Sequence, residues 1–512
     1  MAQQVLAQLY EHATPQSLAL VVLLLFLAAV RLATPRSRAE KLLSKLPSPP
    51  FRLPVIGHLH LVGPLPHRSL RDLAGQHGPD VMLLRLGAVP TVVISSPRAA
   101  KAVLRTHDHV FASRPPSAVS DVLFYGSTDV GFAPYGEYWR QARKVVTTHL
   151  LTVRKVRSSR VAREQEVRLA LARVRAAAAA RAAVDLSELF SCFANDVVCQ
   201  AVTGRLPREQ GRNKLFHDLL ETNNTKLLGG FNLEEYFPSL ARLSVVSSEA
   251  AKHRKRWDDL LDGLIDKHVR KTANGEHEED FIDVLLSVQE EYSLTRDNIK
   301  AILIDMFEAG TDTTYISLDF AMAELMRNPK AMAKLQAEVR RCTGKGKEMV
   351  TEEDLSTMRY LKAVMKESMR LHPPASLMIP HFSMAECDDV EGHTIPSGIR
   401  VLLNVWALGR DPTCWESAEE FMPERFMEEA MDADSDLQGN DFRLLPFGSG
   451  RRMCPAIKFT TATFEIILAN LIYHFNWELP PGTTGIGMTE TYGINVYRKE
   501  KLLLVPCIAQ DV

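Results

Sequence analysis

One cysteine in a glycine-rich loop constrains this chain more than any other feature. The stretch Phe447-Gly448-Ser449-Gly450-Arg451-Arg452-Met453-Cys454-Pro455-Ala456 holds a single thiol, with an aromatic seven residues before it and an arginine two before it. Such a loop presents one sulfur to a metal while its backbone amides point at that sulfur. A thiolate that accepts amide hydrogen bonds beside a cation is suited to be an axial ligand of heme iron. An isolated cysteine is more often a buried free thiol. The fixed residues of F-x-x-G-x-R-x-C, however, arise together by chance in a chain this long on the order of once in a thousand.

The rest of the composition narrows the partners. Lys+Arg number 61 against Asp+Glu 62, so no basic excess is available for a nucleic acid. A hydrophobic content of 46% supports a sizeable core. The seven cysteines are scattered without a C-x-x-C pair, which reads as reduced thiols rather than a disulfide framework or a zinc site. Near the N-terminus, Ala13 to Val30 carries no charge and Leu18 to Val30 is unbroken apolar sequence, followed by Arg31, Arg36, Arg38, Lys41 and Lys45. A cleaved signal peptide carries its positive charge in front instead. The pattern predicts a single anchor helix with a lumenal N-terminus and a cytosolic remainder. The run is short of the roughly 20 residues of a full span, and a buried helix of the globular domain is the competing reading. Residues 1–31 are therefore assigned to lumenal N-terminus and anchor, and 32–54, rich in basic residues and proline, to a semi-rigid hinge.

No internal repeat is visible, and no Pro/Gly-rich break divides residues 55–512. Leu83 to Ser95 is β-rich with turn residues at Gly87 to Pro90, predicting a hairpin. Most of the chain beyond Ser95 has helical periodicity, including an Ala/Arg run through Ala176 to Ala183. Asn274 to Asp280 and Met427 to Asp441 read as exposed loops. The expected fold is one large, mainly α domain with small β-sheets. Asn223-Asn224-Thr225 matches a glycosylation sequon, which a cytosolic placement leaves unmodified.

Four further motifs carry chemistry. Ala309-Gly310-Thr311-Asp312-Thr313-Thr314 lies in a helix predicted to begin at the N-cap Thr295 and to end before Pro329. Glycine in mid-helix costs about 1 kcal/mol relative to alanine, and the threonines divert backbone hydrogen bonds. Ala309 and Thr313 share a face, and Asp312 beside Thr313 supplies a carboxyl and an alcohol that pass protons. The alternative places Asp312 in a polar stripe with Asp305, Glu308 and Asp319. Glu367 and Arg370 are an i,i+3 pair, of a kind usually weak at surfaces. Pro423-Glu424-Arg425-Phe426 is unremarkable by itself. Trp139 and Arg143 share a helical face, as an anion site or a surface cation–π pair.

Together and in this order, the five motifs resemble the cytochrome P450 family of heme-thiolate monooxygenases, microsomal plant members in particular. The resemblance runs from the anchor and proline hinge to the Tyr492-Gly493-Ile494 turn. It implies a P450 fold over 55–512, heme b with Cys454 as axial iron ligand, and Arg452, Arg143 and Trp139 on the heme propionates. It implies Asp312 and Thr313 as the acid–alcohol pair that delivers protons, and Glu367, Arg370 and Arg425 as a buried structural triad. Two positions depart from the family pattern. Ala456 stands where glycine is usual, which would press on the loop or porphyrin and lower heme retention. His381 stands where many members place a propionate-binding arginine, and is kept as a weaker contact. Phe447, at the head of the loop, belongs to the cofactor site.

The resemblance also implies a substrate pocket lined by Val119, Leu123, Phe124, Met306, Ala309, Leu377, Met378, Ile379 and Ile494, suited to a flat or compact apolar substrate. The thiolate donates electron density to iron and favours O–O cleavage. The chain lacks a convincing G-x-G-x-x-G nucleotide loop, so NADPH enters only through a partner, the NADPH-cytochrome P450 reductase, with Arg140 and Lys144 as docking charges. Membrane lipid and O2 complete the expected partners, and the endoplasmic reticulum membrane is the expected location, with a single pass. Leu46-Pro47-Ser48-Pro49-Pro50, Ile56-Gly57-His58-Leu59-His60-Leu61, Asp305-Met306-Phe307-Glu308-Ala309-Gly310 and the 498–506 segment look like the grass enzymes that oxidise indole and indolin-2-one toward benzoxazinoids. The competing readings are a paralogue hydroxylating terpenoids or herbicides, a heme-thiolate isomerase or dehydratase, and a non-catalytic heme sensor.

Overall fold

Thr295 sets the central element. Its hydroxyl accepts the Asn298 N–H while the Asn298 side chain accepts the Thr295 N–H, a reciprocal cap that starts a helix over Arg296–Arg327. Asn328 ends it, since the residue before Pro329 avoids the α region. Both ends lie where the sequence places them. The helix is buried on most sides, with Ile299, Ile302, Leu303, Phe307, Ile316 and Phe320 in the core, as expected of an element surrounded by others.

The computed structural model describes residues 37–204, 224–229, 233–237, 246–273, 280–427 and 437–510. The apolar run Ala13–Val30 lies outside the described residues, as do 32–36 of the hinge, Asn223 of the sequon, 274–279 and 428–436. Among the described residues no helix is long and apolar enough to cross a membrane. Residues 1–46 form a unit of their own, whose described part is a short helix over Arg38–Leu43 capped by Ser37.

In the unit from Pro47 onward the elements that build the site are, in chain order, β1 (Val81–Leu86), β2 (Val89–Ile94), α1 (Ala118–Leu123), α2 (Glu137–Val145), α3 (Arg160–Ala180), α4 (Leu186–Thr203), α5 (Val246–Ala273), α6 (Arg296–Arg327), α7 (Pro329–Thr343), α8 (Arg359–Leu371), β3 (His381–Phe382), β4 (Arg400–Leu403) and α9 (Ile457–His474). The predicted hairpin is present: β1 pairs antiparallel with β2, Leu86 opposite Val89, and Gly87 adopts φ +60° in the turn. β4 joins β2 in parallel, and β3 pairs antiparallel with β4, His381 opposite Val401. This sheet edge carries His381 to the site.

Helices form the larger layer. α4 crosses α6, and a Cβ added at Gly310 would lie 3.0 Å from Val198 Cγ2. The mid-helix glycine thus serves a close helix crossing. On the other side α7, α8 and α9 pack on α6, with Met365, Met369, Phe464, Ile467 and Leu471 in one continuous core. Each such side chain contributes about 1.5–3 kcal/mol when fully buried.

The Glu367 triad is buried, not a surface pair. Arg370 donates through Nε and Nη2 to both Glu367 oxygens at 2.7 and 2.8 Å, and Arg425 Nε donates to Oε1 at 3.1 Å. Arg370 also donates to the Ala418 and Glu420 carbonyls, and Met422 N–H donates to Glu367. The triad ties α8 to the 417–425 segment, one carboxylate shared by two guanidiniums whose remaining donors go to backbone carbonyls.

Candidate active site

The Cys454 loop owes its shape to glycines in the left-handed region. Gly448 has φ +73° and Gly450 φ +69°, and a Cβ at Gly450 would lie 2.3 Å from the Leu104 carbonyl oxygen. Cys454 N–H donates to the Phe447 carbonyl at 2.9 Å, and Ala456 N–H donates to Cys454 Sγ at 3.4 Å. The sulfur stands just before the N-terminus of α9, whose dipole favours a thiolate. Burial pushes the thiol up, opposed by the Ala456 amide and the Arg143 guanidinium. A metal bound there would deprotonate it outright. Ala456 has φ −94° and ψ 12°, so its methyl meets no backbone strain at this position.

A belt of cations borders the same cavity. Arg452 donates to the Ala112 and Ala133 carbonyls, each at 2.6 Å, and lies over the Trp139 ring with its guanidinium carbon 4.2 Å from the centroid. Trp139 thus stacks with Arg452, from the cysteine loop, while its Nε1–H donates to the Val130 carbonyl at 3.0 Å. Arg143 Nη2 donates to the Met453 carbonyl at 2.5 Å. Arg114 donates to the Gly131 and Ile379 carbonyls, both at 2.8 Å. Burial lowers the pKa of all three arginines, Arg452 to about 9. Repulsion adds to this, from Arg452 on Arg114 and from Arg143 on Arg452. Their hydrogen bonds run to backbone carbonyls, and Asp129 is the acid that offsets Arg452 and Arg114. One buried and two half-buried guanidiniums this close call for anionic partners. A ligand edge bearing two carboxylates, as heme does, fits this belt, and the lone sulfur fits its iron.

His381 lines the cavity from β3, with Nδ1 at 2.9 Å from the Phe111 carbonyl. Burial and the nearby Arg114 hold it neutral, far below its usual value. Its Nδ1–H is therefore spent on that carbonyl, and Nε2 offers a lone pair, so a carboxylate beside it must bring a proton with it.

Across the cavity stands α6. Ala309, Gly310, Asp312 and Thr313 all line it. Thr313 Oγ1 donates to the Ala309 carbonyl at 2.8 Å, which parks the hydroxyl on the shared face. Burial, with Glu308 one turn away, pushes Asp312 up to about 7. A carboxyl with that value exchanges a proton near neutrality.

The structure brings Cys454, Arg452, Trp139, Arg143, His381, Phe447, Asp312 and Thr313 to one cavity, together with Phe124, Met306, Ala309, Met378, Ile379 and Ile494. It places three expected pocket residues elsewhere. Val119 and Leu123 share one face of α1, which packs against α5 and buries both in the core, while Phe124 follows the helix end and turns inward. Leu377 packs with Leu70, Met82 and Leu84 against the sheet. Met378, at φ +53° in the irregular segment before β3, and Ile379 both line the cavity. Arg114, Phe132, Asp305 and Glu308 also line it and were not expected from the sequence. Asp305 lies one turn before Ala309 on the same face, a spacing that could have marked it, and Glu308 lies one turn before Asp312.

The sequence profile of the cytochrome P450 family matches residues 47–505. The chain is 57% identical to indole-2-monooxygenase of maize (Zea mays), covering 96% of this chain and 95% of that protein. It is 52% identical to indolin-2-one monooxygenase of the same plant, covering 98% and 97%. A zebrafish cytochrome P450 solved with abiraterone has the same fold, with a TM-score of 0.73 at 24% identity over 88% of this chain and 100% of that one. The chain belongs to the cytochrome P450 family. It is an oxygen-incorporating oxidoreductase, and heme with a thiolate ligand is its cofactor.

Proposed function

We propose that the chain inserts one atom of O2 into a small, flat aromatic of the indole or indolin-2-one type, with electrons from NADPH-cytochrome P450 reductase. The observation that carries this reading is the match, over nearly the whole of both chains, to a maize indole-2-monooxygenase. The apolar wall of Phe124, Phe132, Met306, Met378, Ile379 and Ile494 suits such a substrate.

In this reading Cys454 ligates the heme iron, Arg143, Arg452 and Trp139 hold the propionates, and His381 and Phe447 border the cofactor. Bound heme supplies the binding and reductive cleavage of O2. The protein's own contribution is positional and protonic. The apolar wall excludes bulk water and holds a planar ring against the Ala309–Gly310 face. Thr313 Oγ1 turns from the Ala309 carbonyl to offer its proton into the cavity, and Asp312 replenishes it. Residues 1–31 would anchor the chain in the endoplasmic reticulum membrane, with 32–54 as hinge and 55–512 as the cytosolic monooxygenase domain. Exposed Arg140 and Lys144 on α2 would meet the reductase.

The full chain and reductase in microsomes, offered indole, indolin-2-one, terpenoids and herbicides, test the reading by mass spectrometry. An NADPH- and O2-dependent product one oxygen heavier than indole or indolin-2-one is expected. Oxidation of terpenoids or herbicides alone, or an isomerised product formed without O2, would overturn it. Protease treatment of intact microsomes should degrade the domain and spare the extreme N-terminus.

A further inference from the structure

Three carboxyls line the cavity from α6, those of Asp305, Glu308 and Asp312. Asp305 Oδ2 accepts the N–H groups of Val130 and Gly131 at 2.6 and 3.2 Å, in the 129–133 wall between α1 and α2. In the same wall Asp129 Oδ2 accepts the Phe132 N–H at 2.7 Å. Asp312 stands beside Thr313. Glu308 is the third. It directly precedes Ala309, at the face against which the planar substrate ring is held, and its side chain keeps 14% of its surface exposed. Behind it α5 places His253, 3% exposed, with Nε2 at 3.7 Å from Glu308 Oε1. That nitrogen accepts the Trp257 Nε1–H at 3.0 Å. Trp257 packs in turn on Phe307 of α6, ring centroids 5.7 Å apart. The Glu308 carboxyl is thus backed by a fixed imidazole and borders the cavity.

Charge is segregated around this cavity. Arg114, Arg143 and Arg452 lie at the cofactor edge, and the carboxyls lie on α6. The side chains of Phe124, Phe132, Ile379 and Ile494 give a ligand apolar contact and no hydrogen bond. An apolar wall discriminates weakly between rings of one shape, whereas a polar contact rejects an isostere that lacks the matching group. A carboxyl oxygen at the ring's edge favours an N–H through a charge-assisted hydrogen bond. A ring oxygen in the same place sets lone pair against lone pair, and a carboxylic acid brings like charge.

We propose that Glu308 is a specificity-determining residue of the substrate site. Its carboxyl accepts the ring N–H of a neutral, flat heteroaromatic or lactam, and so selects N–H substrates over isosteres that carry oxygen in that position. The inference deepens the proposed reaction, on which it rests, by naming the group on the substrate that is read.

The test reads ligand-induced spectral change in the resting, full-length holoenzyme, where the influence of Glu308 on Asp312 does not enter. Wild type should bind indole about tenfold more tightly than benzofuran, which has the same shape with oxygen in place of N–H. Indolin-2-one should lead its lactone counterpart, 2-coumaranone, by a similar factor. In Glu308→Leu both gaps should close to within about twofold, through weaker N–H ligands and an unchanged or lower Kd for the oxygen ones. Glu308→Gln keeps a carbonyl acceptor and should restore at least about threefold discrimination. A wild-type ratio near one overturns the inference. So does a leucine variant that keeps the gap or loses both kinds of ligand equally, and so does a glutamine variant no better than leucine. If leucine costs the protein its heme, the wild-type ratio decides: about tenfold supports the inference and a ratio near one overturns it. No spectral change with indole or indolin-2-one in the wild type overturns this inference together with the substrate reading, whereas binding without discrimination overturns this inference alone.

Discussion

The cysteine side and the 129–133 side of the cavity are held by opposite means. On the cysteine side, glycines with fixed positive φ shape the loop, and the buried Glu367–Arg370–Arg425 triad fixes α8, whose Met369 lines the cavity, to the 417–425 segment. Across from it, the wall is a short irregular segment whose amides depend on two carboxyls, Asp305 and Asp129, and whose carbonyls depend on three donors. The first arrangement resists any change and suits a site that keeps a cofactor. The second has few bonds to break and suits a surface that admits and releases a ligand.

The strongest way to break this contrast is Glu367→Gln. With the carboxylate gone, Arg370 and Arg425 keep buried charge without a counterion, a loss of about 3–5 kcal/mol. The yield of heme-loaded protein and the thermal midpoint should both fall steeply. Unchanged values would mean that the cysteine side is no stiffer than the wall. Asp312→Asn should lower turnover about a hundredfold. It should also remove a pH limb. Asp312 titrates at about 7, so it carries its proton below that pH and loses it above. Wild-type turnover should fall as pH rises through about 7, and the asparagine variant should be flat there. Thr313→Ala should keep NADPH and O2 consumption while product per NADPH drops. Unchanged coupling would remove Thr313 from proton delivery.

Smaller effects sharpen the comparison. Gly310→Ala presses a methyl to 3.0 Å from Val198 Cγ2, an overpacking cost of about 1–3 kcal/mol against about 1 kcal/mol regained in helix propensity. Calorimetry reads the small net loss, and a midpoint raised by the full propensity gain would show that α4 yields freely at the crossing. Ala456→Gly should matter least, a few tenths of a kcal/mol at a helix cap with ordinary φ. Heme transfer to apomyoglobin measures its retention. Markedly tighter heme in the glycine variant would restore the steric objection that the backbone geometry removes.

The sequence was most readable where chemistry demands fixed residue types. The cap at Thr295, the stop at Pro329 and the hairpin turn at Gly87 follow from local rules of capping and φ, whereas the convergence of Trp139, Arg143, Arg452 and Cys454 was legible only through the family resemblance. The wall was not readable in the same way. Val119 and Leu123 are as apolar as Phe124, and only the packing of α1 on α5 decides which faces the cavity. Leu377 and its neighbour Met378 part ways through a positive φ that no composition signals. Asp305 and Glu308 read as members of a polar stripe, because the partner of Asp305 is main-chain amide from 174 and 175 residues away in sequence.

Sulfur from Cys454 bound to heme iron underlies every step above, and the carbon-monoxide difference spectrum of Cys454→Ser measured beside wild type tests it most directly. The wild type should show the band characteristic of thiolate-ligated heme, and the serine variant should lack it. A wild type without that band, or a serine variant that keeps it, would contradict the assignment.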